Sequence, residues 1–394
     1  MTDLNSIIDM ISVLLITGIL PVKDIKKKKD ENDILLVTED NIKIYYPNIE
    51  FHYIFTSPKV NKLLSLLSAK WKSYYNVQQQ KQFHLRGKTM NTLGIIMLPK
   101  KFFFRNILYE LSFWQNRNRI ESIIKEAQPT VIHAQAVDGN AFFAKKISKK
   151  YKIPYVVTLR GLNAHTDHLV ISNIKEAKHL IAISPTQKNI AEKIMKEKVD
   201  FIPHGVADHF FTGNNEKTIT LPLKFIVVCR LLKLKNIDKV IRALSAFGGE
   251  YTLDIYGEGP EKENLQLLIE ELNLTGRIKL KGYALNEHLP VIFKEYDIFI
   301  MPSFPETLGR VYFEAMACGL PVIASKDTGV DGIITNGVHG YLVNHKDNKS
   351  LDNILNLIFS NPQSMLEMRK HALELVEQFR WKAISKLLYG IYEN

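Results

Sequence analysis

Only two cysteines, Cys229 and Cys318, occur in 394 residues. Both stand inside apolar segments, which predicts reduced, buried thiols of a cytosolic protein and excludes a disulfide framework. No Cys/His spacing of the zinc type is present, and no Asp-x-Asp occurs anywhere, so no metal site is expected. Long apolar runs are missing too. The first one, residues 7–20, is interrupted by Asp9, Ser12 and Thr17, is too short to span a bilayer and follows no basic segment. It reads as the first core strand, at 13–19. The single glycine cluster, Gly257 and Gly259, lacks the third glycine of a dinucleotide fingerprint, since Lys262 stands there. Nicotinamide-dependent oxidoreduction is therefore disfavoured.

What is present is ordinary globular composition, 46% hydrophobic and 24% charged, with a net charge of +11. The length predicts two domains. The positive balance favours anionic partners: nucleic acid, anionic lipid or phosphorylated small molecules. The basic residues are spread out and no recognition motif appears, so a non-enzymatic nucleic-acid-binding role rests on charge alone.

The chain alternates strand-like and helix-like segments. In the first half, strands are expected at 33–37, 51–55, 93–98, 130–134, 155–159, 177–183 and 201–202. Helices are expected at 61–75, 102–125, 140–149 and 185–196. Residues 26–29 and the polar stretch 77–88 read as loops. A polar linker at 207–222 leads to a second alternating set, with strands at 224–229, 252–256, 278–281, 297–301, 320–325 and 341–343 and two closing helices. This pattern means α/β domains with parallel sheets. The predicted domains are 1–206 and 207–376, with a last segment 377–394.

The stretch 297–326, DIFIMPSFPETLGRVYFEAMACGLPVIASK, organises the second half. It reads as buried strand, loop, helix and buried strand. Glu306 falls in the loop. Glu314 falls one turn inside a helix whose other residues after Arg310 are apolar, so its carboxylate must be paired or must bind something. The helix start offers free N–H groups at Gly309, Arg310 and Val311 to an anion. Parallel sheets bind ligands beyond the carboxyl ends of their strands, where Arg230, Lys235, Gly257-Glu258-Gly259, Gly282-Tyr283 and Glu306 also fall. Cations plus helix amides suit a diphosphate. A carboxylate in a helix suits a ribose diol, and a second carboxylate suits the hydroxyls of another sugar. Together they describe a nucleotide-diphosphate sugar.

These residues resemble the retaining family 4 glycosyltransferases. The resemblance is carried by CRLLKLKN at 229–236, YGEGP at 256–260, KGY at 281–283, PSFPETLGRVYFEAMACGLPVIAS at 302–325 and NGVHGYLV at 336–343. It implies the GT-B fold, two Rossmann-like α/β domains with parallel sheets facing across a cleft, the final helix with Trp381 crossing back to the first. By the resemblance, Arg230 and Lys235 hold the donor diphosphate, Glu306 contacts the transferred sugar and Glu314 the ribose. Leu308, Gly309, Arg310 and Val311 offer backbone amides, and Tyr283 lies near the base.

The first half matches less closely. IPHGV at 202–206 has His204 where asparagine is more usual. TLRGLN at 158–163 has Arg160 where many relatives carry histidine, and Asn163 where an aspartate is common. Arg160 stays protonated and cannot be a base, but it can stabilise leaving-group charge or bind an anionic acceptor. TGILPVKD at 17–24 has only Gly18 of the usual glycine pair. His133, in HAQAVDG, reads equally as a hydrogen-bonded histidine at a strand end.

The expectation is a retaining, metal-independent hexosyltransferase without cofactor. It would use a UDP- or GDP-sugar and a glycan or lipid-linked acceptor in bacterial cell-surface polysaccharide synthesis. The cytoplasmic face of the inner membrane is its expected place, and no nucleic-acid partner is expected. A sugar-nucleotide epimerase of the same fold is the alternative. Residues 99–114, PKKFFFRNILYELSFW, set bases beside aromatics and read either as a membrane-contacting segment or as an ordinary helix with a buried aromatic face.

Overall fold

A computed structural model describes residues 9–18, 34–59, 81–85, 87–96, 105–163, 165–212, 218–347 and 349–394. The expected helix at 61–75 and the basic run 26–29 lie outside these. Two units separate: Met1–Ile183 with Gln187–Ile202 and Ser385–Asn394, and Ser184–Thr186 with Pro203–Ile384.

The first unit is built on β1 (Ile11–Thr17), β2 (Ile49–Pro58), β3 (Gln82–Leu85), β4 (Lys88–Ile95), β5 (Val131–Ala134), β6 (Tyr155–Thr158), β7 (His179–Ala182) and β8 (Asp200–Phe201). Their order is β3-β4-β2-β1-β5-β6-β7-β8. β1, ISVLLIT, is buried at every position, as a central strand covered on both faces must be. It pairs in parallel with β2 on one side and β5 on the other, so the strand order reverses there.

Three expectations for this unit are corrected. Of the strand expected at 33–37, residue 33 lies outside the described residues and 34–37 are not a strand: the helix Ile34–Tyr45 starts there. A four-residue apolar run does not distinguish the two, and burial of Leu36, Glu39 and Ile42 shows the three-residue spacing of a helix face. The polar stretch 77–88 contains β3, which pairs antiparallel with β4 and points Phe83 into the core. Residues 77–80 and 86 of that stretch lie outside the described residues. The long helix expected at 102–125 is, over its described residues, two, Arg105–Gln115 and Arg117–Ala127, and residues 102–104 lie outside the described ones. Between them the Asn116 amide donates to the carbonyl oxygens of Ser112 (2.7 Å) and Gly94 (3.0 Å), competing with the backbone ladder.

The second unit holds β9 (Leu223–Val228), β10 (Tyr251–Tyr256), β11 (Ile278–Gly282), β12 (Ile298–Ile300), β13 (Val322–Ser325) and β14 (Gly340–Val343). They run β11-β10-β9-β12-β13-β14, every pairing parallel. From β9 the chain winds outward through β10 and β11, then returns to the other side of β9 at β12. The crevice between the ends of β9 and β12 is thus the switch point of this sheet, where ligands bind in such folds. Near the end of the unit, Trp381 packs fully buried on Gly205, where a Cβ would lie 2.3 Å from its ring.

Candidate active site

The switch point brings together two of the expected side chains. β9 ends at Val228, and Lys235 follows in a short 3-10 turn, Lys233–Lys235. β12 ends at Ile300 and Glu306 follows in the next loop. Lys235 Nζ lies 2.6 Å from Glu306 Oε2, with only 16% and 14% of the two side chains exposed. The Glu306 Oε1 accepts from the Thr307 N–H at 3.1 Å. Two further bonds tie the loops together: Phe304 N–H to the Leu234 carbonyl (2.8 Å), and the Asn236 amide to the Pro302 carbonyl (2.7 Å). The pair is therefore held by both loop backbones, not by side-chain contact alone.

The helix Arg310–Ala317 starts after Gly309, whose φ of +69° places it in the left-handed region. There a Cβ would lie 2.4 Å from the Tyr312 ring, so glycine is required twice over, for the turn and for the space. Tyr312 donates to the Met301 carbonyl, pinning the first turn of the helix to the end of β12. Leu308 is buried, while Arg310 and Val311 are half-buried in the first turn, where N–H groups lack intrahelical acceptors. Glu314, one turn on, is 9% exposed. Burial pushes its carboxyl above the ordinary range, opposed by the charge of Arg310 and a hydrogen bond from Asn286.

Arg230 directly follows Cys229, is exposed, and makes no ion pair among the described residues. Its neighbour loop is set by contact too close for any side chain: a Cβ on Gly257 would lie 1.8 Å from the Cys229 carbonyl oxygen, and one on Gly259 would lie 2.3 Å from that of Leu231. The Gly257 N–H donates to Gly282 O (2.7 Å), which carries the rim on to Tyr283, 64% exposed. Arg230, Lys235, Tyr283, Glu306, the Leu308–Val311 segment and Glu314 thus all follow or flank carboxyl ends of strands in this one sheet.

Arg160 belongs to the first unit, just beyond β6. Its carbonyl accepts from the Val137 N–H at 3.2 Å, and its charge adds to burial in lowering the pKa of His133 to about 3. His133 itself is buried, with Nδ1 2.7 Å from the Tyr392 hydroxyl and Nε2 2.8 Å from the Thr158 hydroxyl. It is a neutral, fully engaged histidine.

Three residues of the second unit escaped sequence reasoning. Asn286 holds Glu314, Asn236 fixes the Lys235 turn, and Gly329 N–H donates to the Glu306 carbonyl at 3.0 Å. A Cβ on Gly329 would lie 1.5 Å from the Thr307 carbonyl oxygen. A glycine just past a buried strand, in DTGV after β13, was the available signal. Asn236 closes the CRLLKLKN stretch without a role being read for it, and Asn286 carried no signal. No group of three His, Cys, Asp or Glu that could hold a metal occurs among the described residues.

Comparison with known proteins covers both units. Residues 213–375 match the family model described as glycosyl transferases group 1, and residues 86–210 match that of glycosyltransferase family 4. A sulfoquinovosyl transferase of Arabidopsis thaliana is 27% identical over 301 residues, 67% of this chain and 56% of that protein. A putative colanic acid biosynthesis glycosyltransferase of Salmonella typhimurium is 30% identical over 164 residues, 39% of this chain and 40% of that protein. The matched part of the chain thus spans about half the length of these curated relatives. Among solved structures, the Anabaena protein HepE in complex with UDP superposes with a TM-score of 0.66 at 17% identity, covering 97% of this chain and 99% of that one.

Proposed function

This chain belongs to the family 4 glycosyltransferases of GT-B fold, and we propose that it transfers a hexose-type sugar from a nucleotide-diphosphate sugar to a glycan or lipid-linked acceptor. The anomeric configuration is retained, no metal takes part, and the product enters a cell-surface polysaccharide. The carrying observation is the Lys235–Glu306 pair at 2.6 Å in the switch-point crevice, with buried Glu314 one turn inside the helix that follows.

Departure of a nucleoside diphosphate builds negative charge on the phosphates and positive charge on the sugar ring. Arg230, Lys235 and the amides of Leu308, Gly309, Arg310 and Val311 meet the first. Their positive charge does the work a metal would otherwise do. Glu306, held by Lys235, accepts from sugar hydroxyls, and Glu314 from the ribose diol. A carboxylate already paired with an ammonium is a weakened nucleophile. Front-side attack, with the leaving phosphate taking the acceptor proton, therefore suits this site better than double displacement. Arg160 serves the acceptor side. UDP is the preferred base partner because a neighbour of the same fold is in complex with UDP.

Thermal-shift screening against UDP-, GDP- and ADP-sugars tests the donor reading. One of them at a hundredfold excess over its Kd stabilises by about 2.7 kcal/mol, and Glu314→Ala abolishes the shift. A flat response to every nucleotide sugar would sink the reading, and turnover of donor alone into an epimeric donor would favour the epimerase instead.

Membrane contact has its own support. Ile107, Leu111 and Trp114 are 54%, 45% and 60% exposed at helical spacing on Arg105–Gln115, with the Arg117 guanidinium 4.5 Å over the Trp114 ring. Such a stripe suits the interface of an anionic bilayer holding the acceptor. Arg105 is not part of it, being 8% exposed and bonded to Asp167 at 2.6 and 2.8 Å. Leu111→Glu with Trp114→Glu lowers flotation with phosphatidylglycerol vesicles at least about tenfold; unchanged flotation removes the contact. No helix among the described residues is long and apolar enough to cross a membrane.

A further inference from the structure

Away from the grip, the second unit forms an open cavity of about 290 Å³ between the helices Ile237–Ser245 and Ser350–Ser360, by the ends of β13 and β14. Lys239 and Arg242 line one side of it, three residues apart and so on one helix face. Asn344, His345 and two carboxylates, Asp347 and Asp352, also line it. Ser325 is only 1% exposed, and its hydroxyl has no hydrogen-bond partner among the described residues. The same holds for the buried Nδ1 of His345. Lys239 and Arg242 are both exposed, and neither makes an ion pair among the described residues.

Buried polar atoms are normally satisfied, and the exceptions ask for a missing partner. Two cations without ion pairs on one helix face suit an anion, and the carboxylates of Asp347 and Asp352 beside them suit hydroxyls rather than a second charge. A buried hydroxyl and an asparagine call for hydroxyls, and Ala243, Ala246 and Leu351 supply the apolar wall of a small-molecule pocket. We propose that this cavity is a second ligand site, separate from the donor grip, for a polyol phosphate of monosaccharide size. Lys239 and Arg242 take the phosphate, and Ser325 and Asn344 the hydroxyls. The site borders the frame of the grip: Asn236 and Pro302 line it, joined by the 2.7 Å bond that fixes the Lys235 turn, and His345 stacks on Phe304 with ring centroids 3.6 Å apart.

Calorimetric titration of the full chain with glucose 6-phosphate, glucose and inorganic phosphate tests this. Glucose 6-phosphate binds with a Kd of about 1 mM or tighter. Arg242→Glu weakens it at least about tenfold and Ser325→Ala weakens it less. Arg230→Ala and saturating UDP leave it unchanged. Both variants alter the cavity without touching the donor grip, so failure here leaves the donor reading standing. Absence of binding overturns the proposal, as does unchanged affinity in both variants. Loss on Arg230→Ala or competition by UDP would place the phosphate in the donor site, and equal affinity for inorganic phosphate would reduce the feature to surface cations.

Discussion

At the rim of the six-stranded sheet, Lys235 and Glu306 stand 2.6 Å apart with part of each side chain still open to solvent. At the rim of the eight-stranded sheet, His133 is 2% exposed and both ring nitrogens are taken by hydroxyls, those of Tyr392 and Thr158. Both are polar groups at strand ends, the position where such folds place ligands. They differ in what completes them. Lys235 and Glu306 complete each other as opposite charges, and a diphosphate or a sugar can share that pairing. His133 is completed by neutral groups of its own unit and has nothing left to offer. A polar residue at a strand end is thus a site only if its partners leave it open.

The largest test of this contrast is pH. Burial lowers the His133 pKa from 6.5 to about 3. The folded state then binds fewer protons than the unfolded chain between those values, so this group makes stability rise with pH across the window and fall as pH drops from 6.5 toward 3. At 1.36 kcal/mol per pH unit the total is about 5 kcal/mol. His133→Asn keeps a short polar side chain and removes the titration. Urea unfolding from pH 7 down to 4 should show the wild type losing stability relative to the variant. A parallel dependence in the two proteins would show that His133 is open to protons, and the contrast would fail.

Next comes the open pair. Lys235→Ala removes the charge proposed to meet the departing diphosphate, and leaves Glu306 partly buried without its cation. Removal of one such stabilising group costs roughly 10²–10³ in rate. Nucleotide-sugar turnover should fall by that factor in kcat, whereas His133→Asn, compared per folded molecule, should stay within about twofold. Equal losses would mean that both rims are catalytic.

The parts of this arrangement legible in the sequence share one property. Arg230, Lys235, Tyr283, Glu306 and Glu314 each stand next to an apolar strand or inside an apolar helix, so a change of local composition marks them. Partners supplied from distant loops carry no such mark. Asn286 and Asn236 read as ordinary polar loop residues until folding brings them to Glu314 and to the Pro302 carbonyl. Short elements were hidden for another reason. β3 has four residues in a polar stretch, and its Phe83 gains meaning only from pairing with β4. The helix Ile34–Tyr45 opens with an apolar run that fits a strand equally well, and only the sheet it covers decides.

That same helix supplies a third, somewhat smaller test, again by setting the two units against each other. Each buries a glutamate. Glu314 lies on the ligand rim, opposed by Arg310 and Asn286; Glu39 is 2% exposed under the first sheet, accepting from the Tyr53 hydroxyl and lying 3.2 Å from Lys88 Nζ. Burial wins over these partners and raises Glu39 from 4.5 to about 7. The folded state then binds more protons than the unfolded chain in this window, so stability declines as pH rises from 4.5 to about 7, by about 3 kcal/mol. Glu39→Gln keeps an acceptor for Tyr53, and Lys88 retains Asp40 at 2.7 Å. The variant should therefore match the wild type near pH 4.5 and exceed it near pH 8, with turnover unchanged. If instead it is the weaker protein at pH 8, the Lys88 charge outweighs burial, and Glu39 is an ion-pair partner in the sense that Glu306 is.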